Sequence, residues 1–351
     1  MPNRYKSFST EAESYEAYNN VTIFRMPVRE HKNGFIEQSL TFYEYSKQVL
    51  HLSKKIEFDL VVATTSRFMT GVLGTYISKK YKCKYFIDIR DVFSETLTEL
   101  FRRKRKLISY AIAPVLLFLE KYMLKQADKV NIVSEGFREY FSNRGFDTSH
   151  WLFIPNGIDA EFVSNQFEQK KNKNNKIQVV YAGNIGDGQG LDCILPEAAN
   201  ILKETHEFCI IGDGRAREAL ANKINSIGVN NIKILKPVDR NILIKYYKEA
   251  DILFLHLNDF KAFRRVLPSK VFEYAAIGKP IVAGVSGYSS EFLTKHVPYA
   301  NIFNPCDIDG CVNALRDAEN ICVSNQSRQD FINSFRRDNI SEQLADAILN
   351  L

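Results

Sequence analysis

The chain has 351 residues, of which 45% are hydrophobic and 25% charged, so its composition is that of a globular protein and excludes a disordered or fibrous chain. Its net charge of +6 is too small to indicate nucleic-acid binding by itself. No charge-free apolar run reaches the roughly 18 residues that a membrane-spanning helix needs, and the N-terminus does not resemble a signal peptide. The six cysteines form no C-x-x-C pair, so we expect free thiols and a cytoplasmic protein.

In the first half of the chain, short apolar runs rich in β-branched residues alternate with helical patterns. The predicted strands are Val21–Met26, Leu60–Thr64, Tyr85–Ile89, Lys129–Val133 and Trp151–Ile154. The predicted helices are Phe35–Leu52, Met69–Lys80, Lys104–Gln126 and Phe137–Asn143. Strands that alternate with helices predict a parallel, doubly wound sheet.

A polar, non-periodic stretch, Asn165–Lys176, is typical of a linker, and the alternation restarts after it. The predicted strands are Ile177–Ala182, Glu207–Ile211, Ile232–Ile234, Ile252–His256, Pro280–Ala283 and Asn301–Phe303, and the last helices are Ser327–Phe335 and Ser341–Leu349. We therefore predict an α/β protein with two Rossmann-like domains, 1–157 and 158–335, separated by a cleft. A C-terminal helix in 336–351 could pack back on the first domain. Ligands of such sheets bind outside the carboxyl ends of the strands.

The strongest local signal is the glycine-rich segment Tyr181–Asp192, which follows a predicted strand and precedes a helix. Backbone amides in such a loop, together with a helix N-terminus, can cradle a phosphate. A flexible turn is the simpler interpretation. A nicotinamide-binding loop is a further alternative: the spacing is G-x-x-G-x-G-x-G instead of G-x-G-x-x-G, but Asp213 falls near the end of the next strand, where that motif has an acid.

A second strand-glycine-helix segment spans Ile210–Arg217. Gly212 and Gly214 would let a ligand approach the backbone closely. We expect Arg215 to open the following helix, where it either contacts a phosphate or is simply solvated.

The third segment, Leu267–Ala283, has the features of a helix start followed by a strand. Pro268 and Ser269 suit that start. Lys270 in the first turn opposes the helix dipole, which favours a bound anion beside it. Glu273 lies about one turn further on nearly the same face, where its carboxylate could accept two ribose hydroxyls. An amphipathic helix with exposed lysine and glutamate remains the alternative.

Three motifs in this order, GNIG-x-x-QGLD from Gly183, IGDG from Ile211 and PSK-x-x-EY-x-A-x-GKP from Pro268, resemble the nucleotide-sugar-binding half of family 4 glycosyltransferases. These enzymes have the two-Rossmann fold named GT-B. The resemblance is greatest to the bacterial branch that builds O-antigen and capsule. The interdomain P-N-G-I-D segment at 155–159 and the R-D-V-F-S-E segment at 90–95 extend the resemblance over nearly the whole chain.

The resemblance implies a retaining transfer from a nucleoside-diphosphate sugar to a lipid-linked or saccharide acceptor, with no metal ion and no other cofactor. It implies that Glu273 holds the ribose, Ser269 and Lys270 the diphosphate and the backbone at Val238 the base, while the catalytic candidates Asp91 or Glu95 face the reacting sugar. The implied donor-binding set is Asn184, Gly186, Gln189, Gly190, Gly212, Gly214, Arg215, Val238, Pro268, Ser269, Lys270 and Glu273. The Asp307-Ile-Asp309 triplet looks like a metal-binding motif, but its place before a helical pattern favours a helix cap.

The sequence departs from the family pattern at three places. Arg265 replaces a glutamate eight residues before Glu273, and Asn184 and Gln189 replace an arginine and a lysine of the glycine loop. The chain also begins where family members have already passed a strand, a glycine-rich loop, a helix and a second strand, so we expect an incomplete first domain. A nucleotide-binding remnant without activity, a sugar-nucleotide epimerase of the same fold and, more distantly, a nicotinamide-dependent dehydrogenase therefore stay open.

A basic cluster, Arg102–Lys106, precedes the apolar stretch Leu107–Leu124. Such a pair suits the anionic surface of a membrane, and a lipid-linked acceptor would favour peripheral association with the inner face of the plasma membrane. Pro114 and Glu120 interrupt the apolar stretch, so we expect it to lie on the membrane or in the core. Nucleic acid is not an expected partner, because no aromatic residues are interleaved with the basic ones.

Overall fold

The computed structural model describes residues 12–29, 35–65, 67–95, 98, 106–163 and 176–351. The chain divides into two compact units, Met1–Asn131 with Leu351 and Ile132–Asn350. The basic residues 102–105 and all of the predicted linker except Lys176 lie outside the described residues. None of the described helices is long and apolar enough to cross a membrane.

The first unit begins with an antiparallel hairpin of β1 (Tyr15–Tyr18) and β2 (Val21–Phe24). Asn19, with φ of +50°, lies in the turn between them, and asparagine tolerates this left-handed conformation better than most residues. We predicted a strand at Val21–Met26 as part of the parallel sheet. That pairing is wrong, because β2 pairs with β1 in a sheet of their own.

The remaining elements of this unit alternate as predicted. They are α1 (Phe35–Leu52), β3 (Leu60–Thr64), α2 (Phe68–Tyr81), β4 (Lys84–Ile89), α3 (Lys106–Gln126) and β5 (Lys129–Ile132). Strands β3 and β4 are parallel, and β4 is buried along most of its length. Gly71 and Gly74 allow α2 to pack closely on this sheet, since a Cβ at Gly74 would lie 2.8 Å from the Cβ of Ala63.

The second unit contains most of the helices and strands that the structure describes. Its strands are β6 (Leu152–Phe153), β7 (Ile177–Asn184), β8 (His206–Asp213), β9 (Ile232–Leu235), β10 (Ile252–His256), β11 (Ile281–Gly284) and β12 (Ala300–Phe303). Its helices are α4 (Gly136–Ser142), α5 (Ala160–Val163), α6 (Leu191–Ile201), α7 (Arg217–Ile227), α8 (Arg240–Glu249), α9 (Lys270–Ile277), α10 (Tyr288–His296), α11 (Ile308–Ala318), α12 (Asn325–Phe335) and α13 (Arg337–Leu349), with a 3₁₀ helix at Lys261–Arg265. In the first unit, the strand order is β3-β4-β5.

The large sheet confirms the doubly wound arrangement predicted for the second half. Its order is β12-β11-β10-β7-β8-β9, and every neighbouring pair is parallel. Alternate residues of each strand enter opposite cores: Val180 and Leu253 face one, while Val179 and Phe254 face the other. The chain leaves β7 toward β8 and later returns to β10 on the other side of β7. The topological switch point therefore lies between β7 and β10.

Candidate functional site

The loops that follow β7 and β10 are bonded to each other at the switch point. The backbone N–H of Asn258, two residues beyond β10, donates to the carbonyl of Gly188 at 2.9 Å. Its side-chain amide donates to the carbonyl of Asp187, also at 2.9 Å. These bonds fix the glycine-rich loop after β7 against the segment that leads to α9.

Side-chain amides replace the family's two basic residues in the glycine-rich loop, and the structure gives them a local role. The Nδ2 of Asn184 donates to the Oε1 of Gln189 at 2.8 Å, and the same oxygen accepts the backbone N–H of Gly186 at 3.2 Å. Gly190 has φ of +54° and immediately precedes α6. The loop is therefore bonded internally and ends at a helix N-terminus.

The glycine pair after β8 packs against this loop. A Cβ at Gly212 would overlap the carbonyl oxygen of Gly183, and one at Gly214 would overlap that of Ile185. The loop after β8 is tied to its neighbour by two backbone bonds, Ile185 N to Asp213 O at 2.8 Å and Ala216 N to Ile185 O at 3.0 Å. These glycines therefore allow two backbone segments, the loop after β7 and the loop after β8, to approach each other closely.

Lys270, the first residue of α9, lies against the glycine-rich loop. A Cβ on Gly183 would overlap the lysine Nζ, so the missing side chain at residue 183 makes room for the ammonium group. The ammonium lies 5.7 Å from the centre of the Tyr181 ring, within range of a cation–π interaction. Burial lowers the pKa of Lys270, and the Glu273 carboxylate opposes that change.

Glu273 lies in the first turn of α9 with Lys270, as the helical spacing predicted. Burial raises the pKa of its carboxyl group, while the positive charges of Lys270 and Arg240 lower it. Asp159 forms ion pairs with Arg240 and Arg337, and it also influences the Glu273 carboxyl group. The sequence did not reveal this neighbouring charge network, because its members come from three distant segments.

One prediction about local geometry is wrong. Arg215 does not open a helix: it is exposed and precedes α7, which begins at Arg217, because the turn at Gly214 delays the helix. Ser269 stands at the N-cap position of α9, as its residue type suggested, but its backbone angles are helical and its side chain makes no capping hydrogen bond. Ser269 is exposed and directly precedes Lys270 in the chain.

Two further donor-binding candidates of this unit, Pro268 and Val238, lie outside its helices and strands. The helix cap expected at Asp307 is confirmed. Pro268 precedes Ser269 outside α9. Val238 is partly buried in the loop after β9, where it packs against the core. The Asp307 side chain accepts a hydrogen bond from the Gly310 N–H at 3.0 Å at the start of α11.

In the first unit, the acidic candidates follow β4. Asp91 lies two residues beyond the end of that strand and is partly buried, as is Glu95. Asp88, inside the strand, is buried, and its carboxylate accepts bonds of 2.8 Å from Arg90 Nε and from Asn131 Nδ2. Asp88 therefore has a structural role, which leaves Asp91 and Glu95 as the candidates that the sequence named.

The prediction of six free thiols is wrong for one pair, since Cys193 and Cys306 form a disulfide although 113 residues separate them. Both lie beside His256, and their ligand atoms are within 4.8 Å of one another, a spacing that could suit a metal ion. His256 Nδ1 donates to the carbonyl of Gln189 at 2.6 Å, and its Nε2 accepts the Cys306 N–H at 3.0 Å. With both ring nitrogens bonded and both sulfurs joined, these three residues do not offer a metal site.

Comparison with known proteins identifies the family. The sequence model of the protein family described as "Glycosyl transferases group 1" matches residues 163–338. This range is half of the chain and includes the glycine-rich loops and α9. The chain belongs to the group 1 glycosyltransferase family. This confirms the resemblance that the motifs indicated.

Among relatives of this group 1 chain, a protein of Escherichia coli K12 assigned to colanic acid biosynthesis as the glycosyl transferase WcaI is 24% identical over 220 residues. The match covers 59% of this chain and 53% of the relative, so the chain spans about half the length of that protein.

Solved structures show the same two-domain α/β fold. Anabaena Alr3699/HepE in complex with UDP matches with a TM-score of 0.65 and 16% identity, over 89% of this chain and 84% of that one. WaaG, a glycosyltransferase involved in lipopolysaccharide biosynthesis, matches with a TM-score of 0.64 and 16% identity, over 93% and 86% of the two chains. The GT-B fold class predicted from the sequence is thus confirmed.

Proposed function

We propose that this chain transfers a sugar from a nucleoside-diphosphate sugar to a saccharide acceptor in the synthesis of a surface polysaccharide. The observation that carries the proposal is the position of Lys270. Its ammonium group is held against Gly183, at the N-terminal turn of α9, where the dipole of the helix disfavours a cation. A diphosphate bound beside the loop would compensate both the burial of this charge and the unfavourable dipole.

The relatives support a nucleotide-sugar donor. Alr3699/HepE is described in complex with UDP and with UDP-glucose, and WaaB is described as a lipopolysaccharide outer core galactosyltransferase. In this chain, the ribose would lie at Glu273, the diphosphate at Lys270, Ser269 and the loop amides, and the base at the backbone of Val238. Arg215 is close in sequence to the second glycine loop and could reach the diphosphate from its exposed position.

We further propose that the reaction retains the anomeric configuration and needs no metal ion. The bond between the anomeric carbon and the diphosphate breaks, an acceptor hydroxyl oxygen forms the new bond on the same face, and the hydroxyl proton leaves with the diphosphate or with a nearby carboxylate. Lys270 and the loop amides would stabilise the charge that develops on the leaving group. Asp91 and Glu95 are the proposed residues that face the reacting sugar.

Helix α3 supports the proposal of a lipid-linked acceptor at an anionic membrane surface. Tyr110, Val115 and Phe118 are 62%, 57% and 68% exposed on this helix, and the exposed residues Lys121 and Lys125 continue the same face. Apolar residues that are followed by lysines on one helix face suit the boundary between acyl chains and anionic headgroups. The protein would then be peripheral on the cytoplasmic side.

Calorimetric titration with UDP, GDP and NAD, followed by an assay for sugar release, tests the donor class. We expect a nucleoside diphosphate to bind and NAD not to bind. The Lys270→Ala variant should lose about 1.5–3 kcal/mol of binding free energy for the diphosphate and little for the nucleoside, because it removes a charge-assisted contact. The Lys233→Ala variant removes an exposed lysine of β9 and serves as the control. An equal loss for both ligands would exclude phosphate contact by Lys270, and binding of NAD alone would favour the dehydrogenase.

A further inference from the structure

A cavity of about 610 Å³ lies in the unit formed by residues 132–350, and none of its lining residues is among those assigned above to the donor. Its walls come from the start of α4, the 3₁₀ helix and the start of α10. The lining residues are Glu135, Gly136, Glu139, Lys261, Arg264, Arg265, Gly287, Tyr288 and Glu291. Its volume is typical of a small-molecule site.

The 3₁₀ helix places this cavity next to the glycine-rich loop. Phe263 packs over Gly188, where a Cβ would lie 2.8 Å from its Cζ. Lys261, Arg264 and Arg265 of the same short helix line the cavity. Only the short 3₁₀ helix would therefore separate a ligand in the cavity from the glycine-rich loop.

The base of the cavity is closely packed. A Cβ at Gly136 would lie 2.7 Å from the carbonyl oxygen of Arg265 and 2.8 Å from the Cβ of Tyr288, and one at Gly287 would overlap the carbonyl oxygen of Arg264. The Ser134 hydroxyl donates to the carbonyl of Arg265. These contacts join the three walls to one another, so the cavity is built by tertiary packing.

The formal charges of the lining residues are balanced, since three are basic (Lys261, Arg264 and Arg265) and three are acidic (Glu135, Glu139 and Glu291). Two of the charges are already paired with residues outside the lining: Glu135 with Arg138, and Arg264 with Asp259 at 3.0 Å. An anionic ligand would meet the carboxylates of Glu139 and Glu291, and an apolar ligand would leave the charged groups desolvated. A neutral ligand rich in hydroxyl groups can both accept from the basic groups and donate to the carboxylates.

Tyr288 adds an aromatic side chain to this lining. It is half-buried, and burial, together with the negative charges of Glu135 and Glu291, raises the pKa of its phenol to about 12, so the phenol is neutral at physiological pH. Its ring offers an apolar face beside polar groups, and the apolar side of a sugar ring fits such a surface.

We propose that this cavity binds the neutral saccharide portion of the acceptor, with Glu139 and Glu291 accepting hydrogen bonds from its hydroxyl groups and Tyr288 contacting its ring. This inference rests on the proposed function only in identifying the bound saccharide as the acceptor. The saccharide chemistry follows from the lining itself.

Saturation-transfer NMR on the full chain, with UDP present, tests the assignment. The neutral probes are glucose, galactose, mannose, rhamnose, N-acetylglucosamine and lactose, and the anionic probes are glucuronic acid and glucose 1-phosphate. We expect at least one neutral probe to bind and to lose about tenfold or more in affinity in Glu139→Gln and in Glu291→Gln, with UDP affinity unchanged. Both residues are exposed, so the variants should fold, and Glu204→Gln, an exposed glutamate outside the cavity, is the matched control.

Three results would overturn the proposal: no binding of a neutral probe, tighter binding of the anionic probes than of the neutral ones, or equal binding by the cavity variants and the wild type. If the variants weaken the binding of UDP-glucose but not of UDP, the cavity receives the donor's sugar and the acceptor assignment is wrong. Saccharide binding that depends on Glu139 and Glu291 in a wild type that binds no nucleoside diphosphate would overturn the proposed function and leave the saccharide site in place.

Discussion

Glu273 has a carboxyl group whose protonation depends on both burial and nearby charge. Burial raises its pKa, and Lys270 and Arg240 oppose this change. The proposed role is to accept hydrogen bonds from both ribose hydroxyls, and an amide can accept with only one oxygen. Glu273→Gln should therefore weaken the nucleoside and the nucleoside diphosphate alike, by about 1–3 kcal/mol in binding free energy.

Titration calorimetry with uridine and UDP measures this effect. Glu249→Gln, an exposed glutamate at the end of α8, is the control. If Glu273→Gln bound uridine as tightly as the wild type, Glu273 would not bind the ribose, and its carboxylate would act only as a partner of Lys270.

His256 is the residue whose protonation the fold opposes most clearly. Its Nε2 accepts a backbone N–H, so a proton on that nitrogen would replace a hydrogen bond with a repulsive contact. Burial lowers the pKa of His256 to about 4, while the bond to the Gln189 carbonyl raises it. Since histidine in an unfolded chain titrates near 6.5, the unfolded state binds the extra proton between pH 6.5 and 4, and stability falls as the pH decreases through this range.

We expect His256 to account for about 3 kcal/mol of this loss, from a shift of about 2.5 pH units. Urea unfolding at pH 7, 6 and 5 should show a shallower decline for His256→Asn than for the wild type. The remaining decline belongs partly to His206, whose pKa burial also lowers to about 4. Parallel curves for the two proteins would show that His256 does not titrate as proposed, and measurements between pH 7 and 9 give the baseline.

At the scale of elements, the glycines after β8 determine how closely the first two loops of the large sheet approach each other. Gly212 and Gly228 both have positive φ angles, of +158° and +78°, but only Gly212 has a neighbour within reach of a new Cβ. Gly228→Ala should cost about 1 kcal/mol of stability from backbone conformation alone. Gly212→Ala should cost more and should also weaken UDP binding, because it displaces the backbone of Gly183 beside Lys270.

Thermal unfolding and UDP titration of the two variants separate these effects. If Gly212→Ala bound UDP as tightly as Gly228→Ala, the close contact of the two loops would have no part in the site.

Local sequence patterns predicted most elements, and their limits have physical reasons. The bounds predicted for β3 and β10 agree with the structure, because each is a short run of β-branched and other apolar residues, and β10 is buried along its whole length. The hairpin strand β1 was missed because its sequence, Tyr-Glu-Ala-Tyr, has no apolar run and all but one of its residues are exposed.

The candidate site likewise has features that the local sequence predicted and features that it could not predict. Helical spacing was enough to bring Lys270 and Glu273 together. The ion pairs of Asp159 with Arg240 and Arg337 could not be predicted, since only the fold brings these three segments together. The disulfide could not be predicted for the same reason, because the local sequence around six scattered cysteines does not indicate which two the fold brings together.

At the scale of the whole molecule, the Cys193–Cys306 bond is expected to contribute strongly to the stability of residues 132–350. It closes a loop of 113 residues, and closing a loop of about this length removes enough disorder from the unfolded chain to stabilise the fold by about 4–5 kcal/mol. Urea unfolding with and without a thiol reductant should show this difference in the wild type.

Cys193→Ser should unfold as the reduced protein does, with no response to the reductant. Cys322→Ser, which removes an exposed thiol outside the disulfide, is the control and should behave as the wild type. A wild type that is insensitive to reductant would show that the two sulfurs are not joined in solution.

The same bond makes a covalent ring of residues 193–306, and this ring contains Gly212, Arg215, Val238, Lys270 and Glu273. One end of the ring is in the first turn of α6, directly after the glycine-rich loop, and the other end is in the turn that follows β12. A protease that cuts the chain once inside the ring would leave a single molecule, and the two fragments would separate on a gel only after reduction. The second glycine loop, the proposed base contact and the start of α9 would thus stay physically connected in a nicked protein.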